Sequence, residues 1–410
     1  MIVKNNVLSA IVLSVATFLS PVVFGVDSLE VKSSIATAIQ NIKTEDNHWF
    51  RYQVKMEPNN GMPCCYHSRN KSYCELEGKN YGWSSSGSSG SQDSKTLDIY
   101  FKSENSRIQK ILFAGSECNV NAERAYVTEL TGVSNNKSLS FLNQQLSQVK
   151  SRHSQQSIVS SIALHEGEQA QEVIEALVDN NRHVENAIFW LGAARNEAGY
   201  KALVKLLDDD KQTRKHKKRA IFALSENSSK KAFPKLMELA KNSNDENIRG
   251  ESLFWLAQNN VAAAFPVIEK VLEGTPSRRM TEKAVFALSQ YEGKRSWDLL
   301  VELAINHQSL NVREKAIFWL SQSEKRAKSN EYDSLPVLLK LATGAEPRKI
   351  SEQAVFAISQ LKGEKSVNGL VSLIKNSKDK SVKKKAIFWL GQSNHPKALD
   401  YIEGLLVSAN

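Results

Sequence analysis

A five-residue phrase returns seven times in the second half of the chain and restricts what that half can fold into. It reads Ala187-Ile-Phe-Trp-Leu191, Ala220-Ile-Phe-Ala-Leu224, Ser252-Leu-Phe-Trp-Leu256, Ala284-Val-Phe-Ala-Leu288, Ala316-Ile-Phe-Trp-Leu320, Ala354-Val-Phe-Ala-Ile358 and Ala386-Ile-Phe-Trp-Leu390. Successive first residues stand 33, 32, 32, 32, 38 and 32 positions apart. A period of this size belongs to a solenoid, in which each unit buries its apolar face only against its neighbours.

Each unit has room for two helices. In 311–342, Asn311 is expected to cap a helix carrying Val312, Ala316, Ile317, Trp319 and Leu320 on one apolar face. Leu335, Leu338, Leu341 and Ala342 mark a second helix. A degenerate copy, Ile162-Ala-Leu-His-Glu166, reads as the N-terminal cap, and Tyr401-Ile-Glu-Gly-Leu-Leu406 as the C-terminal one. The six-residue expansion around Ser323 to Asp333 is expected to lengthen an exposed loop. The apolar-Arg/Lys-x-x-Ala-x-x-x-Leu pattern appears as Ile248-Arg249…Ser252…Leu256, Val312-Arg313…Ala316…Leu320 and Val382-Lys383…Ala386…Leu390. Over roughly residues 150–410 it resembles the HEAT family, in particular the short bacterial units first associated with phycobilisome lyases. The resemblance implies a right-handed α-solenoid in which the phrase helix is the second of each unit and its outer face lines a concave groove.

With the first phrase residue as position 0 and about 100° per residue, positions −4, 0 and +4 form the core stripe, and +2 falls opposite it. Position +2 is Phe189, Phe222, Phe254, Phe286, Phe318, Phe356 and Phe388. Position +6, close beside it, is Gln258, Gln290, Gln322, Gln360 and Gln392, with Glu226 in one unit. Two readings stay open. The Phe row and Gln row form a partner-binding strip, the Gln amides meeting an extended peptide backbone. Otherwise the rings lie flat along the seams between units and the Gln side chains bond one another. Position +3 alternates Trp190, Ala223, Trp255, Ala287, Trp319, Ala357 and Trp389. That alternation reads as packing, each Trp filling space above its neighbour's Ala.

The first part of the chain is different. Residues 1–25 read as a signal peptide, with Lys4, an apolar run from Val7 to Leu19, Pro21, and a cut after Gly25. Export to a bacterial periplasm or beyond is therefore expected. Residues 26–135 read as a small α+β domain: a helix over 26–45, a strand from His48 to Met56, and a hairpin of Thr96–Phe101 with Arg107–Phe113. Cys64, Cys65, Cys74 and Cys118 all lie here, and an even count in an exported segment reads as disulfides. Adjacent cysteines rarely join each other, which leaves Cys64 and Cys65 each paired with one of Cys74 and Cys118. A zinc site with His67 is the alternative. Residues 136–180 are expected to hold linking helices and the cap unit, and 181–410 the repeat array.

The array is also the basic half. Residues 181–410 hold 38 Lys/Arg against 26 Asp/Glu, and residues 1–180 hold 16 against 18. Cations cluster at helix starts: Arg214, Lys215, Lys217, Lys218, Arg219, then Arg278, Arg279, then Lys383, Lys384, Lys385. There they oppose the helix dipole, so helix stability does not explain them. They are expected either to be solvated and paired within the chain or to bind an anionic envelope polymer or lipid. The sequence carries no paired His at metal spacing, phosphate-cradling glycine loop, nucleophile elbow or convergent acid pair. The expected function is an exported, non-enzymatic interaction protein that grips a protein or peptide along the concave strip. No cofactor, no nucleic-acid partner and, after signal cleavage, no membrane span are expected. A lyase-like handler of a cofactor is the remote alternative.

Overall fold

The computed structural model describes residues 28–40, 42, 48–58, 64–65, 74–77, 83–84, 96–104, 107–122, 125–259, 261–273, 277–291, 293–326 and 332–408. The signal peptide read at 1–25 lies outside them. The chain divides into two compact units, Met1–Ser161 and Ile162–Asn410. Among the described residues there are eighteen helices, and no helix is long and apolar enough to cross a membrane.

The first unit is built on a five-stranded sheet in the order Ser28–Glu30, Tyr126–Thr131, His48–Lys55, Thr96–Glu104, Arg107–Gly115. The last three pair antiparallel, the final two as the expected hairpin. The helix expected over 26–45 is shorter, Ile35–Ile39, and starts where Ser34 Oγ accepts the Thr37 N–H. Ser28–Glu30 instead pairs parallel with Glu129–Thr131, so a ladder partner a hundred residues away overrides a weak helical periodicity. The sheet is buried on both faces. Trp49, Tyr100, Leu112 and Ala114 pack with Cys74 and Leu76 on one side. Phe50, Tyr52, Ile99 and Phe101 are buried too, with Phe101 ring-to-ring against Phe141 at 5.1 Å.

Cys74 is buried and Cys118 packs against the same cluster. Neither is a free thiol, and no disulfide joins two described side chains. The side chains of Cys64 and Cys65 lie outside the described residues.

The second unit is a two-layer stack of helix pairs, an α-solenoid. One layer is made by the phrase-bearing helices Val184–Ala194, Arg214–Ser225, Glu246–Asn259, Arg278–Ser289, Leu310–Arg326, Arg348–Ser359 and Lys380–Gly391. Between and after them run Asn196–Asp208, Ala232–Asn242, Val261–Glu273, Lys294–Asn306, Leu335–Thr343, Glu364–Asn376 and Pro396–Ser408. Position 0 is fully buried in every unit, from Ala187 through Ser252 to Ala386, and position +4 is buried beside it. Helix starts follow local chemistry: Thr213, Ser277 and Asp379 each accept N–H bonds from the first turn. Two local expectations are corrected. The helix expected to follow a cap at Asn311 starts at Leu310, so Asn311 lies in its first turn. That helix also runs on to Arg326, so the expansion after Ser323 begins as helix rather than loop.

Neighbouring phrase helices pack on one another along the whole array, far more extensively than neighbouring helices of the other layer. The phrase layer is therefore the shorter, inner layer. Two of its helices approach closely at Gly192, where an added Cβ would lie 2.1 Å from the Ala223 carbonyl oxygen.

Candidate functional site: an aromatic ladder on the inner helix layer

The Phe at +2 are half-buried from Phe189 to Phe356, and Phe388 is 54% exposed at the end of the row. They lie in the seams and stack on one another in pairs. Phe189 faces Phe222 at 6.1 Å, Phe254 faces Phe286 at 5.4 Å and Phe318 faces Phe356 at 6.5 Å, with interplanar angles of 19°, 18° and 6°. The Trp at +3 close the gaps. Trp255 meets Phe222 at 4.5 Å, Trp319 meets Phe286 at 5.1 Å and Trp389 meets Phe356 at 5.1 Å. Each Trp also stands edge-on to the Phe of its own helix, at 5.0 to 5.3 Å. Eleven rings thus form one unbroken ladder from Trp190 to Phe388.

The alternation at +3 now has a fuller physical reading. Ala223, Ala287 and Ala357 are fully buried. The Trp of the following unit reaches the Phe of the Ala-bearing unit rather than entering the core. The sequence reading set the Trp residues aside as packing and missed that they bridge the Phe pairs. The strict alternation was the available signal. The buried Trp255 indole N–H finds no acceptor.

Three of the Gln amides bond within their own helix. Gln290, Gln322 and Gln360 each donate from Nε2 to the preceding serine hydroxyl, at 3.0, 3.3 and 3.1 Å. Those serines donate to the Phe carbonyls of the same helix: Ser289 to Phe286, Ser321 to Phe318 and Ser359 to Phe356. Gln258 and Gln392 are exposed.

Beyond the rings, the same face carries positions −5, −2 and −1, at about 220°, 160° and 260° on the helical wheel. The cations there are Arg182, Lys215, Lys218, Arg219, Arg279, Lys283, Lys315, Lys349, Lys384 and Lys385; the carboxylates are Glu185, Glu251, Glu282, Glu314 and Glu352. Ion pairs tie one unit to the next. Lys215 pairs with Glu185, and both Lys218 (3.7 Å) and Lys283 (3.2 Å) reach Glu251. Lys315 pairs with Glu282 at 3.2 Å, Lys349 with Glu314 at 2.8 Å and Lys385 with Glu352 at 3.5 Å. Hydrogen bonds from Lys215, Lys315 and Arg348 hold the carboxyls of Glu185, Glu282 and Glu352, respectively, below the usual range. Lys283 Nζ also sits 4.5 Å above the Phe254 ring, and Arg219 lies over Phe222.

These pairs account for much of the basic clustering at helix starts. Arg278 bonds Glu282 at 3.3 Å and Lys217 lies 4.0 Å from Asp210. Arg214, Arg279 and Lys384 are exposed, and Lys383 is half-buried. A depression of about 610 Å3 opens on the strip, lined by Arg278, Ser309, Asn311, Glu314, Lys315, Phe318, Lys349 and Gln353. It spans three successive inner helices. Among the described residues, no group of three or more His, Cys, Asp and Glu is placed to hold a metal ion.

No protein-family model matches the chain, and no curated protein matches it. Among solved structures it is similar to human deoxyhypusine hydroxylase in complex with glycerol, at 14% identity and a TM-score of 0.28, over 63% of this chain and 96% of that one. It is similar also to the CpcE–CpcF complex of phycocyanin lyase from Nostoc, at 19% identity and 0.30, over 59% and 96%. A third is the Mot1 N-terminal domain in complex with TBP, at 12% and 0.33, over 56% and 35%. At such scores and identities none of them assigns a family or a function to this chain.

Proposed function

We propose that the second unit is a HEAT-like solenoid whose inner face binds a protein or peptide partner along the aromatic ladder. The single observation that carries this is the unbroken row of half-buried rings. A monomer that needed only stability would bury such surface, and contiguous apolar surface rimmed by polar groups marks interaction sites. Aromatic residues with Arg are also the side chains most often found at the centre of interfaces. The protein acts in this reading as a non-enzymatic scaffold, exported by the segment at 1–25. Its first unit is stapled by disulfides from Cys64 and Cys65 to Cys74 and Cys118. The burial of Cys74 and the absence of a free thiol there support the last point.

Binding of an anionic polymer or lipid through the helix starts alone has less support, because Lys215, Lys217, Lys218, Arg278 and Lys385 already pair with carboxylates of the chain itself. The experiment is co-purification from the native cells, comparing wild type with a Phe286→Asp/Phe318→Asp variant whose helical signal is checked by circular dichroism. A partner held by the wild type and lost by the folded variant supports the ladder. Retention by the variant sinks it.

A further inference from the structure

The inner helix Lys380–Gly391 carries a face built to be covered. Its Ala386-Ile-Phe-Trp-Leu-Gly391 repeats, residue for residue, Ala187-Ile-Phe-Trp-Leu-Gly192 on the inner helix Val184–Ala194. The earlier copy has a helix lying on it, Arg214–Ser225. There Ile188 is fully buried, the Phe189 ring stacks on Phe222 at 6.1 Å, and Gly192 lets the Ala223 backbone come close. At the later copy the same side chains are open. Ile387 is 44% exposed, whereas Ile188, Ile221, Leu253, Val285, Ile317 and Val355 at its position are all fully buried. Phe388 meets the edge of its own Trp389 and is otherwise largely exposed. A Cβ at Gly391 would touch nothing within 4 Å. The outer layer agrees: Leu399 on Pro396–Ser408 is 55% exposed, and its counterpart 32 positions earlier, Val367, is buried. A solenoid stays soluble when its terminal unit turns a polar face outward. This unit keeps the apolar face of an internal one, and exposed apolar surface of that kind marks a docking site.

The covered copy shows which shape fits, a helix with an aromatic ridge and an alanine at the close approach. Charge separates the two copies. Two residues before the phrase, Glu185 accepts Lys215 from the covering helix. Glu282, Glu314 and Glu352 hold the same place and take Lys315, Lys349 and Lys385 from theirs. Those lysines stand five or one residues before their own phrase. At the open face the place of the carboxylate is taken by the exposed Lys384. A covering helix with the cations of this array would set like charges together, and one with carboxylates would pair. The open face therefore disfavours another unit of this array's kind and favours an acidic helix.

We infer that the open face of Lys380–Gly391 docks an amphipathic, acidic helix of a partner protein. That helix lays an aromatic or branched aliphatic ridge on Ile387 and Phe388, sets an alanine or glycine against Gly391 and brings a carboxylate to Lys384. Its apolar face is then buried as a helix in a groove. The site goes beyond the proposed function and does not require the rest of the ladder to bind anything.

The test uses the full chain and two labelled probe peptides in fluorescence anisotropy. One probe has the sequence of residues 211–228, which contain the covering helix of the earlier copy. The other is the same peptide with Lys215→Glu and Arg219→Glu. Both are held helical by an internal side-chain crosslink and checked by circular dichroism. The acidic probe is expected to bind at least about tenfold more tightly than the unaltered one. Lys384→Glu in the full chain is expected to reverse that preference. Gly391→Leu, whose side chain enters open space in the free protein, is expected to weaken the acidic probe about tenfold or more with an unchanged melt. Phe286→Asp/Phe318→Asp should leave probe binding as it is, so this site and the ladder can fail separately. Equal binding of the two probes, a preference that survives Lys384→Glu, or no binding of either helical probe would overturn the proposal. So would a wild-type dimer in sedimentation that Phe388→Asp dissociates, because the face would then be covered by a second copy.

Discussion

Stacking between rings of adjacent units should be measurable as an energetic coupling, and its size follows from the geometry. Phe286 is half-buried and touches two rings, Phe254 at 5.4 Å and Trp319 at 5.1 Å. Truncating a fully buried Phe to Ala costs about 3–5 kcal/mol, so a half-buried one should cost about 2 kcal/mol. An aromatic pair adds about 0.5–1.5 kcal/mol beyond area burial. In a double-mutant cycle of Phe254→Ala and Phe286→Ala, the coupling should therefore be about 0.5–1.5 kcal/mol. Phe222→Ala with Phe318→Ala, rings three units apart, should be additive within about 0.5 kcal/mol. The assay is urea denaturation of the full chain, with the slope compared across variants so that only changes in midpoint are read as stability. A zero coupling for the adjacent pair would refute the ladder. So would a single-variant cost of about 4 kcal/mol or more, which would make these rings core and leave no strip to bind anything.

Equivalent glycines at position +5 should respond in opposite directions. Gly192→Ala drives a Cβ to within 2.1 Å of the Ala223 carbonyl and should cost at least about 1–3 kcal/mol in thermal or urea melts. Gly391→Ala meets nothing within 4 Å and should gain up to about 1 kcal/mol. The inter-unit carboxylates give the array an acid limb. Because Lys315 lowers the Glu282 pKa on folding, that pair's contribution is present above the ordinary carboxylate range and lost as pH falls through the lowered folded value. Glu282→Gln should therefore lose less stability than wild type between pH 6 and pH 3, and an equal loss in both would show the pair to be inert. For the first unit, thiol labelling of the unfolded, unreduced protein should find almost no free cysteine, whereas four reactive thiols would remove the disulfides.

The two-layer array is legible in the sequence because the core stripe is a local property of one helix. Ala316, Leu320 and Val312 can be placed on one face without knowing any neighbour, and all three are fully buried. The ladder is only half legible for the opposite reason. A helical wheel sets Phe318 on the far face, but whether Trp319 meets Phe286 depends on the distance between two helices. The Gln amides were harder still, since their partners are the serines one residue before them, at a position just past the phrase to which the sequence reading gave no role. In the first unit, the strand at Ser28–Glu30 exists through a parallel partner at Glu129–Thr131, and no nearby residue signals that pairing.

The ladder's role is tested most directly by a photo-crosslinking amino acid placed at two sites of the intact protein in its native cells. One is Gln322 on the inner helix Leu310–Arg326, and the other is the exposed Lys340 on the outer helix Leu335–Thr343 of the same unit. A crosslinked product at Gln322 and none at Lys340 is the expected result. Capture at Lys340 alone, or equally at both, would place the partner elsewhere and contradict an inner-face binding strip.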